Sequence, residues 1–455
     1  RRVIVVKFGG TSVGDADAIR RATDVVASRG RRAPVVVVSA ASGTTTELLE
    51  LAEQAARGQL IGALRSVEHI RERHIEMCDA LLRNVPNGAD TTAEIAAMCD
   101  EIASLAEALN TLGHLTPRSL DAVASFGEQM SSLLVTEAFR ARGVPAVHVE
   151  ARQVMITSEH FNSAEPRPDA IAERAREIIA PLVSSGKVPV LGGYIGATTS
   201  GITTTLGRGG SDYTASLLGA ALGAEDIEIW TDVDGMLTAD PRVVSGAKLI
   251  PEIRFDEASE LASFGAKVLH PNTIAPAVRL GIPVYIYNTR NPRQSGTRIT
   301  FDAPRRSVTA IAAKGDVTMV KVSAPRMLLA QGFLRGVFEI FEKHRTSVDV
   351  VSTSEVSVSV TLDDASHLDE LVVDLRMLGD VALERNRAIV AIVGSGIGDR
   401  GDCMGRALGA LGDMHIHMLS LSASGINLTL VVDGDRMRDA MIALHTEFFT
   451  PVSSA

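Results

Sequence analysis

Apolar positions along the chain follow two rhythms. Short apolar-rich runs at Val3–Lys7, Pro34–Ser39, Ala146–Val149, Val188–Leu191, Asp226–Trp230 and Val284–Tyr287 alternate with stretches of helical spacing. Runs of this kind between helices are strands buried on both faces, so residues 1–300 predict a mostly parallel, doubly wound sheet with helices on either side. The helices expected are Asp15–Arg29, with Ala18, Ile19, Ala22, Val25 and Val26 on one face, then Gly127–Arg142, Asp169–Ser184, Asp212–Leu222, Phe255–Phe264 and Thr273–Leu280. From Glu47 to about Gly113 the spacing is helical throughout, broken only at Pro86-Asn87-Gly88. That excursion is expected to form a lid or a subunit contact. Asn288–Arg298 reads as a linker or hairpin.

Beyond residue 300 the pattern repeats itself. Met319-Val320-Lys321-Val322 matches Ile389-Val390-Ala391-Ile392, and the offset of 70 residues holds without gaps to Asp363 and Asp433. Helix Leu334–His344 matches Met404–Met414, strand Val348–Ser352 matches Met418–Ser422, and Val356–Leu362 matches Ile426–Val432. A further helix closes each unit, at His367–Leu378 and Arg436–Phe448. Strand, helix, strand, strand, helix is a small ferredoxin-like α+β unit present twice. The expected domains are 1–300, 301–384 and 385–455.

Composition narrows the function classes. The net charge of −10 and the lack of a basic run beyond Arg29–Arg32 argue against a nucleic-acid partner. No apolar run approaches the ~18 residues of a membrane helix, and no secretory leader pattern opens the chain. Cys78, Cys99 and Cys403 form no Cys-x-x-Cys pair, which disfavours a disulfide framework or structural zinc and points to the cytoplasm.

Four segments carry candidate chemistry. The first strand ends in Lys7-Phe8-Gly9-Gly10-Thr11-Ser12: a cation, then bare backbone that can approach an anion closely. Leu206-Gly207-Arg208-Gly209-Gly210-Ser211-Asp212-Tyr213 opens a helix. An N-cap role would explain Ser211 or Asp212, but not an arginine among three glycines, and an anion site explains both. Trp230-Thr231-Asp232-Val233-Asp234-Gly235 follows a strand, where open α/β sheets bind ligands; a plain Asp-Gly turn reads equally well. Glu128, in Ser125-Phe126-Gly127-Glu128, lies in a helix's first turn, where an acid also simply favours the dipole. Lys267 follows a helix and taken alone is a solvated charge. His415-x-His417 lacks a third ligand with sensible spacing and is read as structural, so no metal site is assigned.

Together these segments resemble the aspartate kinase family: Lys7-Phe8-Gly9-Gly10-Thr11-Ser12, Ser39-Ala40, Gly127-Glu128, Leu206 through Tyr213, Thr231-Asp232, Asp240-Pro241-Arg242 and Lys267-Val268-Leu269-His270-Pro271 occur in that family's order. The two C-terminal units are similar to its regulatory ACT domains, so the resemblance covers essentially the whole chain. It implies transfer of the ATP γ-phosphoryl, with Mg2+, to the side-chain carboxylate of L-aspartate, the first step toward lysine, threonine and methionine. By the same resemblance Lys7, Arg208 and Asp212 are catalytic, with Gly9 and Gly10 supplying backbone donors. Ser39, Thr45, Glu128, Arg208 and Ser211 hold aspartate, Glu128 taking its ammonium and Arg208 a carboxylate. Lys7, Gly9, Gly10, Thr231, Asp232, Leu237, Arg242 and Lys267 face the nucleotide. Leu237 departs from the tyrosine common in the family and loses a hydroxyl and a π-face.

The first repeat resembles the effector pocket of lysine-inhibited members at Met327, Gly332, Phe333, Leu334, Ser347, Val348, Asp349, Ser354 and Glu355. Asp349 and Glu355 would offer two carboxylates to a cationic amino acid, or be exposed strand-end acids. The matching second-repeat positions are Leu419 and Gly425, so the first unit is expected to bind effector and the second to make subunit contacts in a homodimer or dimer of dimers. The competing readings are a kinase of another small acid on the same fold and a non-catalytic amino-acid sensor.

Overall fold

The computed structural model describes residues 2–264, 269, 271–324, 332–354, 356–399 and 401–450. The chain divides into two compact units, 1–236 with 268–302, and 237–267 with 303–455. This differs from the boundary at 300 expected from the sequence. The physical reason lies in Ala239 and Val244, which are buried in one apolar core with Ala388, Val390, Ile392 and Leu444 of the second repeat.

In chain order the first unit carries β1 (Ile4–Phe8), β2 (Pro34–Val38), β3 (Ala146–His148), β4 (Val188–Gly192), β5 (Ile195–Ala197), β6 (Thr203–Thr205) and β7 (Asp226–Thr231). The short β8 (Glu252–Arg254) falls in the second unit, and β9 (Val284–Asn288) and β10 (Thr297–Thr300) return to the first. Within the first unit the strand order is β3-β4-β2-β1-β7-β9-β10. Only the β9–β10 pair is antiparallel among these, so Asn288–Arg298 is a hairpin connection. Strands β5 and β6 form a separate antiparallel pair that the sequence reading missed.

Strand periodicity sorts β1. Ile4, Val6 and Phe8 enter the core with Ile19, Val25 and Val26 of helix Ala16–Ser28, where Asp15 caps the N-terminus by accepting from Ala18 N–H at 2.7 Å. Lys7 therefore points to the opposite face, where helix Gly210–Leu222 packs against β1. The helical excursion comprises Thr44–Ala56, Leu60–Leu82 and Gly88–Leu112, and buries Leu48, Leu51, Ile70, Ile95 and Ile102 in the β1 core.

In the second unit β11 (Ala310–Ser323), β12 (Val351–Thr353), β13 (Ser357–Leu362), β14 (Asp380–Val393), β15 (Ile416–Leu421) and β16 (Asn427–Asp433) form a sheet ordered β12-β13-β11-β14-β16-β15. The two repeats sit side by side through antiparallel β11 and β14, whose bounds differ by the 70 residues read from the sequence. Helices Phe333–Lys343 and Leu368–Leu375 pack on the first half, and Asp402–Leu411 and Met437–Phe449 on the second. Among the described residues no helix is long and apolar enough to cross a membrane.

Candidate active site

Four adjacent parallel strands end in one row. Phe8 lies opposite both Val38 and Trp230, and Val38 opposite Gly192. The next residue along each strand is Gly9, Ser39, Thr231 or Gly193; Thr231 is the last residue of β7, and three of the four are singled out by the sequence reading. The strand order reverses between β1 and β7, which is where an open α/β sheet leaves a ligand crevice.

Lys7 is the cation at that row. Its Nζ lies 2.6 Å from Asp212 Oδ1, and the two side chains are 10% and 15% exposed. An ion pair so far from water brings little net stability, because desolvation offsets its attraction. Asp212 sits in the first turn of helix Gly210–Leu222, where the dipole favours an acid. Gly207 and Gly209 lead into that helix at φ +76° and +71°, a region open to glycine. The N–H groups of Gly210 and Tyr213 are used by Gly207 and Gly209 carbonyls, whereas those of Ser211 and Asp212 have no partner among the described residues. That leaves the helix start open to an anion.

The glycines after β1 divide their roles. Gly9 N–H donates to the Trp230 carbonyl at 2.9 Å. The expectation that Gly9 supplies a free backbone donor is thereby corrected: its N–H is already spent tying β1 to β7. Gly10 N–H remains without a partner among the described residues. A Cβ on Gly10 would come within 3.0 Å of Ala40 O, so bare backbone is needed there.

Glu128 is buried at 3% exposure beside β2. Its Oε1 accepts from Ala40 N–H at 3.2 Å, and Oε2 has no hydrogen-bond partner. Burial pushes its carboxyl up to about 8, against the pull of the Ala40 N–H. A buried oxygen without a donor asks for an incoming cation. Ser39 borders this pocket: its N–H donates to Phe8 O at 3.0 Å and its carbonyl accepts from Ser131 Oγ at 2.7 Å. Thr45 is half-buried in the first turn of helix Thr44–Ala56.

Two glycines escaped the sequence reading. A Cβ on Gly192 would lie 2.9 Å from Glu128 Cβ, and one on Gly193 2.7 Å from Ser211 Cα. They let helix starts from both sides close onto the end of β4. Two glycines after a strand read as a turn, and nothing local signals the close approach. Arg208 is exposed and has no ion-pair partner among the described residues. Thr231 Oγ1 donates to Asp232 Oδ1 at 3.2 Å, and Asp232 is exposed.

The remaining candidates belong to the second unit. Leu237 bridges to Leu249. Arg242 is exposed, pairs with Asp240 at 2.7 Å, and lines a cavity of about 480 Å³ with Lys248 and Arg438. Lys267, Met327 and Glu355 lie outside the described residues. Gly332, at φ +87°, precedes helix Phe333–Lys343, which carries Phe333 and Leu334. Phe333 and Val348 border the same apolar core, while Ser347 and Ser354 are exposed. Asp349 is paired internally, with Lys314 Nζ 2.9 Å from its Oδ1, and the same ammonium lies 2.6 Å from Asp363.

The profile of the amino acid kinase family matches residues 2–288, and that of an ACT domain residues 390–448. Lysine-sensitive aspartokinase 3 of Escherichia coli K12 is 39% identical over 456 residues, spanning 98% of this chain and 99% of the relative. The chloroplastic aspartokinase 3 of Arabidopsis thaliana is 37% identical over 98% of this chain and 81% of the relative. Among solved structures, E. coli aspartokinase III in complex with aspartate and ADP (R-state) has a TM-score of 0.85, covering 98% of this chain and 100% of that one at 39% identity. The same enzyme with lysine and aspartate (T-state) has a TM-score of 0.83, covering 98% and 99% at 39% identity.

Proposed function

The chain belongs to the aspartokinase family, and from that premise we propose how its residues share the work. It is an aspartate kinase: the γ-phosphoryl of ATP passes to the side-chain carboxylate of L-aspartate, giving 4-phospho-L-aspartate. Both reactants are anionic and no covalent enzyme intermediate is needed, so catalysis is positioning and charge neutralisation. Lys7 stabilises the transferring phosphoryl, with Gly10 N–H and the open helix start at Ser211 and Asp212 as further donors. Glu128 takes the substrate ammonium and Arg208 its α-carboxylate, with Ser39 and Thr45 beside them. Thr231 and Asp232 face the nucleotide.

Mg2+ fits this donor set as a phosphate-borne ion. No group of three or more His, Cys, Asp or Glu among the described residues could cage a metal. Mg2+ commonly needs only one or two carboxylates beside substrate phosphates, and Asp212 is placed to supply one. When bound it would neutralise phosphate charge, while Lys7 and the backbone donors hold the phosphoryl group in line.

Residues 1–300 act as the catalytic domain, apart from 237–267, which belong to the second unit, and 301–384 and 385–455 act as ACT domains. Lysine is the feedback effector, held by the first repeat. Association into a homodimer or dimer of dimers is supported by Val351 on edge strand β12 and Leu419 and Leu421 on edge strand β15, all exposed. The buried free thiols of Cys78, Cys99 and Cys403 suit a reducing cytoplasm.

The buried Lys7–Asp212 pair at the row of strand ends carries this reading. Steady-state ADP release with ATP and a panel of acids tests it, with lysine and threonine added in turn. Aspartate-dependent turnover inhibited by lysine is expected; turnover with acetylglutamate or carbamate in place of aspartate would overturn it.

A further inference from the structure

Asp121 is a buried carboxylate that the roles above leave without a task. It lies on helix Pro117–Ala124 and is 1% exposed. Oδ1 accepts from Thr205 Oγ1 at 2.6 Å, and Oδ2 from the N–H groups of Thr205 at 3.0 Å and Asn162 at 2.9 Å. Turned with its nitrogen toward the acid, the Asn162 amide donates to Oδ1 at 2.8 Å and to Pro117 O at 3.1 Å. Burial raises the carboxyl above its ordinary value, and the bonds from Thr205 and Asn162 work against that rise. Every partner is a neutral donor, so the carboxylate acts as a geometric node.

The node joins the roots of two functional segments. Thr205 ends β6 and is followed by Leu206, Gly207 and Arg208. Asn162, at φ +69°, presents its carbonyl to that loop, where a Cβ on Gly207 would come within 3.1 Å. On the other side, helix Pro117–Ala124 runs through Ser125 directly into helix Phe126–Ala141, whose third residue is Glu128.

We propose that Asp121 is a positioning residue that sets the separation of Glu128 and Arg208, and with it the fit of the zwitterionic substrate. The proposal rests on the roles given to those two residues. A one-ångström error in such a spacing is costly to catalysis, because the reacting carboxylate must arrive in line with the phosphoryl group.

The test is steady-state kinetics of the full chain with Asp121→Asn, which keeps shape but turns one acceptor into a donor facing donors. The KM for aspartate is expected to rise about tenfold or more while the KM for ATP stays within about twofold. Thr205→Val should move the same constant in the same direction, and Thr205→Ser should restore it. Equal changes in both KM values, or an unchanged aspartate KM in folded Asp121→Asn, would overturn the proposal. If Asp121→Asn does not fold, the Thr205→Val and Thr205→Ser pair decides alone. Arg208→Ala run alongside separates the layers. An unchanged aspartate KM there removes the role of Arg208 and the proposal with it. A raised value there with a wild-type value in Asp121→Asn removes only the strut.

Discussion

The two candidate sites, one in each unit, treat charge in opposite ways. In the first, Lys7, Asp212 and Glu128 are withdrawn from water at the ends of parallel strands. In the second, Lys314, Asp349 and Asp363 pair at a half-exposed corner, with side chains 23%, 20% and 41% accessible. Buried charges are costly and persist where a reaction uses them; half-exposed pairs contribute about 0–1 kcal/mol and can be exchanged cheaply. The contrast separates a catalytic unit that must be rigid before substrate arrives from a regulatory unit whose pairs can be traded for a ligand.

The strongest attack on the contrast is Lys7→Ala. Loss of a preorganised charge aimed at the transition state should lower kcat by about 10³-fold, read as aspartate-dependent ADP release. Removing Lys7 leaves Asp212 with an uncompensated charge, so thermal unfolding must be followed in parallel. Activity above a tenth of wild type in a folded variant would place the phosphoryl group elsewhere.

Glu128 sharpens the contrast through pH. With its carboxyl pushed up to about 8, it carries a proton in the native state at pH 7, whereas in the unfolded chain it is ionised above its ordinary value of 4.5. Native protein thus binds the extra proton, and stability falls as pH rises from about 4.5 through about 8. Arrival of the substrate ammonium favours the ionised form and expels that proton. Titration calorimetry in buffers of different ionisation enthalpy should show close to one proton released per aspartate at pH 7, with tighter binding toward pH 8. Glu128→Gln should abolish the release and raise the aspartate KM by about 10–10²-fold, an interaction of about 1.5–3 kcal/mol. Binding without proton release would mean that Glu128 does not meet the ammonium.

In the regulatory unit the expected effects are smaller and fall on inhibition alone. Asp349→Ala should remove most inhibition by lysine while leaving kcat within about twofold, since a half-exposed pair supports little of the fold. Lys314→Met probes the same corner from the other side. The Lys314 ammonium already occupies Asp349, as an effector's would, so removing it should lower the half-inhibiting lysine concentration severalfold. Unchanged inhibition in both variants would leave Asp349 as an ordinary strand-end acid.

The sequence disclosed the parallel strands of the first unit and the repeat because both are local patterns: apolar runs such as Val35–Val38, and an offset that survives without gaps. It also singled out Lys7, Arg208 and Asp212 by their glycine neighbours, and the structure pairs two of them, Lys7 and Asp212. What it hid depends on packing between distant segments. Glu128 in a first helical turn looks like any dipole-favoured acid until Ala40 and Gly192 close over it. Asp121 looks like a solvated helix acid, and its partners Asn162 and Thr205 are 41 and 84 residues away. Gly9 appears to be a free donor until β7 is laid beside it. The passage of residues 237–267 into the second unit follows from the burial of Ala239 and Val244 in that unit's core, which no periodicity announces.

The smallest expected effect comes from the second repeat, and it tests whether the two repeats have diverged. At the 70-residue offset Lys314 becomes Glu384, Ser347 becomes His417, Asp349 becomes Leu419, and Asp363 remains an acid as Asp433. The partner of these acids has changed strands: His417 Nδ1 lies 3.2 Å from Glu384 and its Nε2 2.8 Å from Asp433, with Arg387 3.0 Å from the same Asp433. The corner is closed by its own side chains, and a leucine stands where an effector's ammonium would need an acid. His417→Gln keeps a donor and the approximate length of the ring. It should leave kcat and the half-inhibiting lysine concentration within about twofold, and shift the midpoint of thermal unfolding by no more than about 2–4 °C. A clear loss of lysine inhibition in this variant would mean that the second repeat also reads the effector, and that the unequal division between the repeats is wrong.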